Sequence, residues 1–237
     1  MVSRSLSRMA ASIVDVIIPR VCTVCHTSLV EGEDVMCLDC LMNLPRTDLH
    51  TKHPNELTDR LFSLKAPIER GTSLYHYVAG TPYVQLIHDA KYNRRPCVGR
   101  KLAEMHAGEI KETGFFDGID VIIPIPLHFT KLWKRGYNQS EEIARGISNA
   151  TSIPVGDNLV AVRRHSTQTR KNATERRLNS IGSFKVIHPE ELDGLHALIV
   201  DDVITTGSTI LAGLETLHEA SPTTRLSVYS LGLSKLV

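Results

Sequence analysis

The chain has 237 residues, a length that suits one domain of ordinary size together with a small additional module. A hydrophobic fraction of 42% and a charged fraction of 22% are typical of a globular protein with a sizeable core. The formal net charge of +1 excludes an overall bias toward nucleic acid or membrane surfaces, so any such bias must be local. No hydrophobic run approaches the roughly 20 residues that a transmembrane helix needs, and we predict no membrane span.

The first 19 residues, MVSRSLSRMAASIVDVIIP, predict a short amphipathic helix that ends at Pro19. A secretory signal peptide is disfavoured, because Asp15 interrupts the hydrophobic stretch and no small-residue cleavage site follows it. We therefore expect a cytoplasmic protein.

Two CxxC pairs follow this segment, Cys22 with Cys25 and Cys37 with Cys40. Each pair can direct two thiolates to one ion, and four thiolates complete the tetrahedron that Zn²⁺ prefers. Because such a site has no open position, its role would be structural, and metal binding would fold a segment too small to bury a core. Unpaired cysteines or a redox pair are the alternative, which the doubled CxxC spacing disfavours.

A polar stretch at residues 50–57, HTKHPNEL, predicts a linker. We expect the helix and zinc module in residues 1–50 and the main domain in residues 57–237. Beyond the linker, short apolar strands alternate with helices, an α/β pattern that indicates a mostly parallel sheet flanked by helices. The predicted strands are 71–80, 120–126, 159–164, 196–200 and 225–233. The predicted helices are 81–92, 100–114, 138–151 (with Ser140 as its cap) and 207–218.

The strongest candidate site is the segment ALIVDDVITTGSTI, residues 197–210. Its turn at 205–209 joins a buried strand to a helix, where backbone N–H groups, hydroxyls and the helix dipole favour an anion. It matches neither the Walker loop nor GxGxxG, which disfavours a nucleoside triphosphatase and a Rossmann dehydrogenase. Asp201 and Asp202 would repel a bare phosphate but can accept hydrogen bonds from sugar hydroxyls. Ribose 5-phosphate carries both kinds of group.

The DD–TTGST pattern resembles the phosphoribosyl pyrophosphate (PRPP) signature of type I phosphoribosyltransferases. PIPLHFTKLWKRGYNQS at 124–140, RRHSTQTRKNATERRLNSIGSF at 163–184 and the leading CxxC pairs are similar to the ComF/GntX family. The resemblance covers nearly the whole chain. It implies a type I phosphoribosyltransferase-like domain behind a zinc module, with PRPP and Mg²⁺ as ligands and a link to DNA uptake in competence. It does not identify an acceptor.

In such a fold the loop after strand 120–126 faces the pyrophosphate, and residues 163–179 form a flap over it; a solvated basic face and an exposed hairpin are the alternatives. The residues expected to bind PRPP are Asp201, Asp202, Thr205, Thr206, Gly207, Ser208, Thr209, Lys134, Arg135, Gly136, Asn138 and Gln139. Catalysis is expected of Asp201, Asp202 and Arg135. The expected flap residues are Arg164, Gln168, Arg176 and Asn179, and His165 and Ser166 stand where relatives often carry threonine.

Three functions remain open at this level. The chain is expected to transfer phosphoribosyl to an unknown acceptor with release of pyrophosphate, in nucleotide metabolism or competence. A PRPP or nucleotide sensor would bind without turnover. A single-stranded DNA-binding protein would use the zinc module, the aromatic residues Tyr92, Trp133 and Tyr137, and the basic residues Arg94, Arg95, Lys131, Lys134, Arg135, Arg170, Lys171, Arg176 and Arg177. A competence-associated protein and a second copy of the chain are further candidate partners. The segment KYNRR, residues 91–95, fits either an acceptor opening or a solvated helix end.

Overall fold

The computed structural model of the chain places four of the five predicted strands in one parallel sheet. The strands of the described residues are β1 (Arg70–Tyr77), β2 (Val121–Pro124), β3 (Leu159–Ala161), β4 (Phe184–Val186), β5 (His196–Ile204) and β6 (Arg225–Ser234). The order in the main sheet is β1, β6, β5, β2, so the last strand lies between the first and the fifth. The predicted α/β class with a mostly parallel sheet is confirmed.

The structure describes residues 20–63, 68–92, 95–162 and 182–235. Its chain divides into two units, one that ends at Leu44 and one that begins at Pro45. The predicted N-terminal helix and the predicted flap lie outside the described residues. No helix within these ranges has both the length and the hydrophobicity to cross a membrane.

Helices flank the sheet. The helices of the described residues are α1 (Leu38–Met42), α2 (Glu56–Ser63), α3 (Val84–Tyr92), α4 (Pro96–Ile110), α5 (Phe129–Arg135), α6 (Gln139–Thr151) and α7 (Ser208–Ala220). Helix α6 packs on α4 and against β2 and β5, whereas α7 packs against β5 and β4. The core consists of aliphatic side chains from the strands and these helices, including Ile123, Ile199, Leu211 and Leu214.

The remaining predicted strand, 159–164, is shorter than expected and lies outside the main sheet. Its described part, β3, pairs antiparallel with β4, and the two form a separate two-stranded sheet. The sequence did not predict β4, because a three-residue strand is too short to show a hydrophobic period.

Residues 50–57, predicted as a linker, belong to the second unit. Asn55 is buried, and its amide Nδ2 donates to the carbonyls of Leu49, Lys52 and Gly71 at 2.9–3.0 Å. Its Oδ1 accepts from the first amides of α2, and Leu57 on that helix is fully buried. The polar side chain of Asn55 therefore satisfies backbone groups, whereas Thr51, Lys52, His53, Pro54 and Glu56 around it are exposed.

Helices α4 and α6 approach closely at Gly146. A Cβ atom built on Gly146 would lie 2.1 Å from the carbonyl oxygen of Arg100, a distance that no side chain tolerates. The absence of a side chain at this position lets α6 settle on α4, and the first turn of α6 reaches the carboxyl end of β5.

Candidate active site

The two acids, Asp201 and Asp202, and the loop 205–209 lie together at the carboxyl end of β5. Asp201 and Asp202 are 9% and 4% exposed, and the loop that follows them opens directly into α7. Gly207 at the start of α7 has a φ of +82°, which glycine adopts without strain. Residues 203–210 and Asp201 line a concavity of about 30 Å³. The structure thus brings together the five loop residues and the acids that the sequence singled out, namely Asp201, Asp202, Thr205, Thr206, Gly207, Ser208 and Thr209.

Asp201 is held by two donors. Its Oδ1 accepts from the hydroxyl of Ser140 at 3.1 Å and from the backbone N–H of Asp202 at 2.9 Å. Burial, and then the charge of Asp202, raise the pKa of Asp201 to about 7, while those donors and Lys91 oppose the rise. Ser140 is not the cap of α6 as predicted: Asn138 is the N-cap, and Ser140 instead orients the acid.

Asp202 is paired with a cation from another element. Its Oδ1 accepts from the backbone N–H of Val203 at 2.6 Å, and its Oδ2 lies 3.1 Å from Nζ of Lys91, near the end of α3. The sequence indicated only that Lys91 belongs to the basic segment 91–95, which fits either an acceptor opening or a solvated helix end. Its contact with Asp202 brings together residues far apart in the chain, so no local pattern could have indicated it.

The loop has a second partner that the sequence did not indicate. Arg60 on α2 donates from a terminal guanidinium nitrogen to the carbonyl oxygen of Thr205 at 2.8 Å. Within the loop, the hydroxyls of Thr206 and Ser208 are 2.8 Å apart. Arg60 therefore fixes the backbone where the loop begins and adds a positive charge beside it. Because the preceding residues were predicted to form a linker, the sequence did not indicate this role of Arg60.

The predicted pyrophosphate segment begins with a helix. Residues 129–135 form α5, which ends where Gly136 takes a φ of +87°. Arg135 at its end donates to the side-chain oxygen of Gln139, and Asn138 donates to the carbonyl of Ile125 at 3.1 Å. Asn138 and Gln139 are buried, and their hydrogen bonds hold the turn between α5 and α6 to Arg135 and to Ile125, the residue that follows β2. Lys134 is exposed on α5.

Two aromatic side chains of this segment are unusually exposed. Trp133 is 89% exposed and Phe129 is 71% exposed, both on α5. Tyr137 is different, because its hydroxyl donates to the carbonyl of Ala90 on α3 at 2.7 Å. The segment is thereby tied to the helix that carries Lys91. The flap residues Arg164, Gln168, Arg176 and Asn179 lie outside the described residues.

The four predicted metal ligands form one cluster in the first unit. The sulfur atoms of Cys22, Cys25, Cys37 and Cys40 all lie within 4.8 Å of one another, and those of Cys25 and Cys37 are 3.6 Å apart. A tetrahedral zinc site with Zn–S bonds of about 2.3 Å separates its sulfurs by about 3.8 Å. The spacing therefore fits a four-thiolate site for one ion.

The surroundings of this cluster favour thiolate at one position. Hydrogen bonds from the hydroxyl and the backbone N–H of Thr27 lower the pKa of Cys25 to about 6. Burial raises the pKa of Cys40. Four thiolates at this distance repel one another, and a divalent cation removes that repulsion. The cluster can therefore bind a metal, with zinc as the ion that best suits an all-thiolate set.

Comparison with known proteins gives three kinds of match. The family model described as "Phosphoribosyl transferase domain" matches residues 93–231. The DNA utilization protein YhgH of Salmonella typhimurium is 28% identical over 204 residues, which cover 81% of this chain and 88% of that protein. Competence protein F of Haemophilus influenzae is 33% identical over 140 residues, which cover 57% of this chain and 60% of that protein. The predicted resemblance to ComF proteins is confirmed.

Among solved structures, adenine phosphoribosyltransferase from Saccharomyces cerevisiae, in complex with adenine and an iminoaltritol bisphosphate, is 14% identical. The match covers 75% of this chain and 89% of that chain, with a TM-score of 0.40.

Proposed function

The chain belongs to the phosphoribosyl transferase domain family, and from this premise we propose that it binds PRPP and transfers its phosphoribosyl group to an acceptor. The observation that carries the proposal is the position of two buried acids at the end of β5, directly before a hydroxyl-rich loop at a helix N-terminus. Open α/β sheets bind ligands beyond the carboxyl ends of their strands, and these groups lie there.

The loop is suited to the 5-phosphate and the acids to the ribose. Residues 205–209 offer backbone N–H groups and hydroxyls to an anion, and Arg60 adds a positive charge beside them. Ionised Asp201 and Asp202 can only accept hydrogen bonds, so they suit the ribose hydroxyls rather than a phosphate. A sugar phosphate satisfies both groups at once, whereas inorganic phosphate satisfies only the loop.

The transfer breaks the bond between C1 of the ribose and the pyrophosphate oxygen, and the bonding electron pair leaves with the pyrophosphate. A bond forms between C1 and a nucleophilic atom of the acceptor, whose proton passes to the released pyrophosphate or to solvent. Lys134 and Arg135 supply positive charge on the segment proposed to face the leaving group. Mg²⁺, which binds phosphate oxygens, supplies further charge when it arrives with PRPP. The buried acids stabilise the positive charge that develops on the ribose.

The cysteine cluster is proposed to hold one structural zinc ion. All four sulfurs are engaged around a single position, so the ion would have no open site for catalysis. A site of this kind requires reduced thiols, which supports a cytoplasmic location.

The test is calorimetric titration of the intact protein with PRPP, with and without Mg²⁺, together with an assay for released pyrophosphate. We expect Mg²⁺-dependent binding, and pyrophosphate release once the acceptor is supplied. The variant Asp201→Asn combined with Asp202→Asn should bind PRPP at least tenfold more weakly, because two charged acceptors are lost. Unchanged affinity would refute the proposed ribose site. Binding of PRPP with no release under any acceptor tested would favour a sensor.

A second candidate function is binding of single-stranded DNA. It is favoured by the exposure of Trp133 and Phe129 on α5, four residues apart and beside Lys134. Exposed aromatic side chains stack on bases, and neighbouring cations neutralise phosphates. Of the other predicted nucleic-acid contacts, those that lie within the described residues are Arg95, Lys131, Arg135 and Tyr137. Those outside them are Arg94, Arg170, Lys171, Arg176, Arg177 and the side chain of Tyr92.

DNA binding has its own test. Fluorescence titration of Trp133 with a single-stranded oligonucleotide should show quenching and an affinity that falls with salt. The variant Trp133→Ala lacks the single tryptophan of the chain, so it is titrated with a fluorescently labelled oligonucleotide alongside wild type. It should bind this DNA more weakly and leave PRPP affinity unchanged. Absence of quenching by single-stranded DNA would remove this candidate.

A further inference from the structure

Lys91 is placed as the counter-ion of the acid pair rather than as a solvated helix end. Its Nζ lies 3.1 Å from Oδ2 of Asp202, whose side chain is 6% exposed, while that of Lys91 is 25% exposed. The other oxygen of Asp202 is taken by the backbone N–H of Val203. An ion pair of this kind is screened by water far less than a surface pair, so its electrostatic effect is large.

Several contacts fix the helix that carries Lys91. The hydroxyl of Tyr137 donates to the carbonyl of Ala90, the residue that precedes Lys91. At the other end of α3, the hydroxyl of Tyr75 donates to the carbonyl of Tyr83 at 3.2 Å. Asp89, buried on the same helix, pairs with Arg95 at 3.1 Å. The backbone of Lys91 is therefore held in place, which reduces the entropy lost when its side chain pairs with Asp202.

The charges around the two acids are few in the described part of the chain. Lys91 approaches them from α3, the neutral hydroxyl of Ser140 from α6, and Tyr75 from β1. Burial first, then the charges of Tyr77 and Asp202, raise the pKa of Tyr75, so its phenol remains neutral. The neighbour on β6, Ser230, pairs in register with Asp201 and carries no charge. Lys91 thus supplies the positive charge that these elements bring to the acid pair.

We propose that Lys91 is a positioning residue of the phosphoribosyl site, which favours the ionised form of Asp201 and keeps Asp202 aligned to receive the ribose hydroxyls. Two adjacent buried carboxylates repel each other and also repel an anionic sugar phosphate. The ammonium at Asp202 offsets both repulsions. The role in ligand binding rests on the proposed function, but the effect on the ionisation of the acids does not.

The first test needs no ligand. The side-chain carboxyl carbons of Asp201 and Asp202 are followed by NMR as a function of pH in the intact protein. In Lys91→Met, the pH at which Asp201 ionises should rise by about one unit or more, because a nearby opposite charge is removed. Lys91→Arg should keep the wild-type midpoint. Lys101→Met is the matched control, since it removes the same charge from an exposed pair with Glu104 at 3.9 Å, and it should shift nothing.

The second test measures PRPP affinity of the same variants at pH 6.5 and pH 9. Lys91→Met should bind about tenfold more weakly than wild type at pH 6.5, and the ratio should approach one at pH 9, where Asp201 ionises without help. Lys91→Met in the Asp202→Asn background should cost little, because the partner is gone. If Lys91→Met does not fold, Lys91→Gln, which keeps a polar chain without charge, replaces it.

The outcomes separate the two proposals. Unchanged carboxyl titration in Lys91→Met, or the same shift in Lys91→Arg, would overturn the role of Lys91. A shifted titration with no PRPP binding by wild type would support the counter-ion role and refute the proposed function. A loss of affinity that is equal at both pH values would overturn the positioning role, because it would show that Lys91 contacts the ligand itself.

Discussion

The hydroxyl of Ser140, in the first turn of α6, donates to Oδ1 of Asp201 at the end of β5 over 3.1 Å. This contact joins α6, the helix that follows the segment 129–138, to β5, the strand that carries the acids. Ser140→Ala leaves a buried carboxylate with one donor fewer and should reduce the free energy of unfolding at pH 8 by about 2 kcal/mol. Chemical denaturation measures the change. Ser148→Ala, on the same helix but away from the acids, is the control and should change it by less than about 0.5 kcal/mol.

The raised pKa of Asp201 predicts how stability depends on pH. Its folded-state pKa of about 7 exceeds that of an unfolded aspartate, about 3.9, so the folded state binds more protons between these values. The contribution of Asp201 to stability should therefore fall as pH rises from about 4 to about 7. Burial lowers the pKa of His106 to about 3. The contribution of His106 to stability therefore rises as pH rises toward about 6.5. Comparison with Asp201→Asn isolates the acid.

The difference between the two unfolding curves is the measurement. Asp201→Asn should lose the part of the slope that comes from Asp201, so its stability relative to wild type should improve as pH rises from 5 to 8. A constant difference across this range would contradict the burial of an ionisable acid at this position.

The close approach at Gly146 predicts a sensitive position. In Gly146→Ala the new methyl group meets the carbonyl oxygen of Arg100, so α6 must move away from α4. Overpacking of this kind should lower the free energy of unfolding by about 1–3 kcal/mol. Gly108→Ala on α4 meets nothing within 4 Å and should raise it by about 0.5–1 kcal/mol, because alanine favours the helix. Equal effects of the two substitutions on thermal unfolding would show that the helices do not pack as described.

The cysteine cluster predicts the metal content of the purified protein. Wild type should contain about one zinc per chain, and Cys37→Ser should contain much less, because a hydroxyl is a poor substitute for a thiolate. Cys97→Ser, which removes an exposed cysteine outside the cluster, should keep the metal. Elemental analysis gives the zinc content, and visible absorption of the Co²⁺-substituted protein reports thiolate ligands. A Cys37→Ser protein with full zinc content would exclude the four-thiolate site.

The sequence predicted those parts of the site that are local in the chain. Asp201, Asp202 and the following loop lie on one strand–turn–helix unit, so residue types and spacing were sufficient to indicate them. The four cysteines are two short units of the same kind. By contrast, Lys91, Arg60 and Ser140 reach the acids and the loop from other elements, and their contacts depend on how helices pack on the sheet.

The polar sequence of residues 50–57 did not indicate that Asn55 is buried. Asn55 is a polar residue of the kind that is common in linkers. Its amide nitrogen, however, donates to three backbone carbonyls, and its side-chain oxygen accepts from a backbone N–H in the first turn of α2. A buried amide with several backbone partners has no signature in a hydrophobic period. Arg60 was missed for the same reason, since it belongs to the helix that Asn55 starts.

The strand order has a consequence for folding. Strand β6, the last in the chain, separates β1 from β5, and both of its neighbours are parallel to it. A nascent chain that lacks β6 presents two unpaired strand edges, which are templates for aggregation. Asp201 gains its register partner Ser230 only after β6 inserts. Truncation within residues 225–234 should therefore abolish the site while it leaves the cysteine cluster able to bind metal.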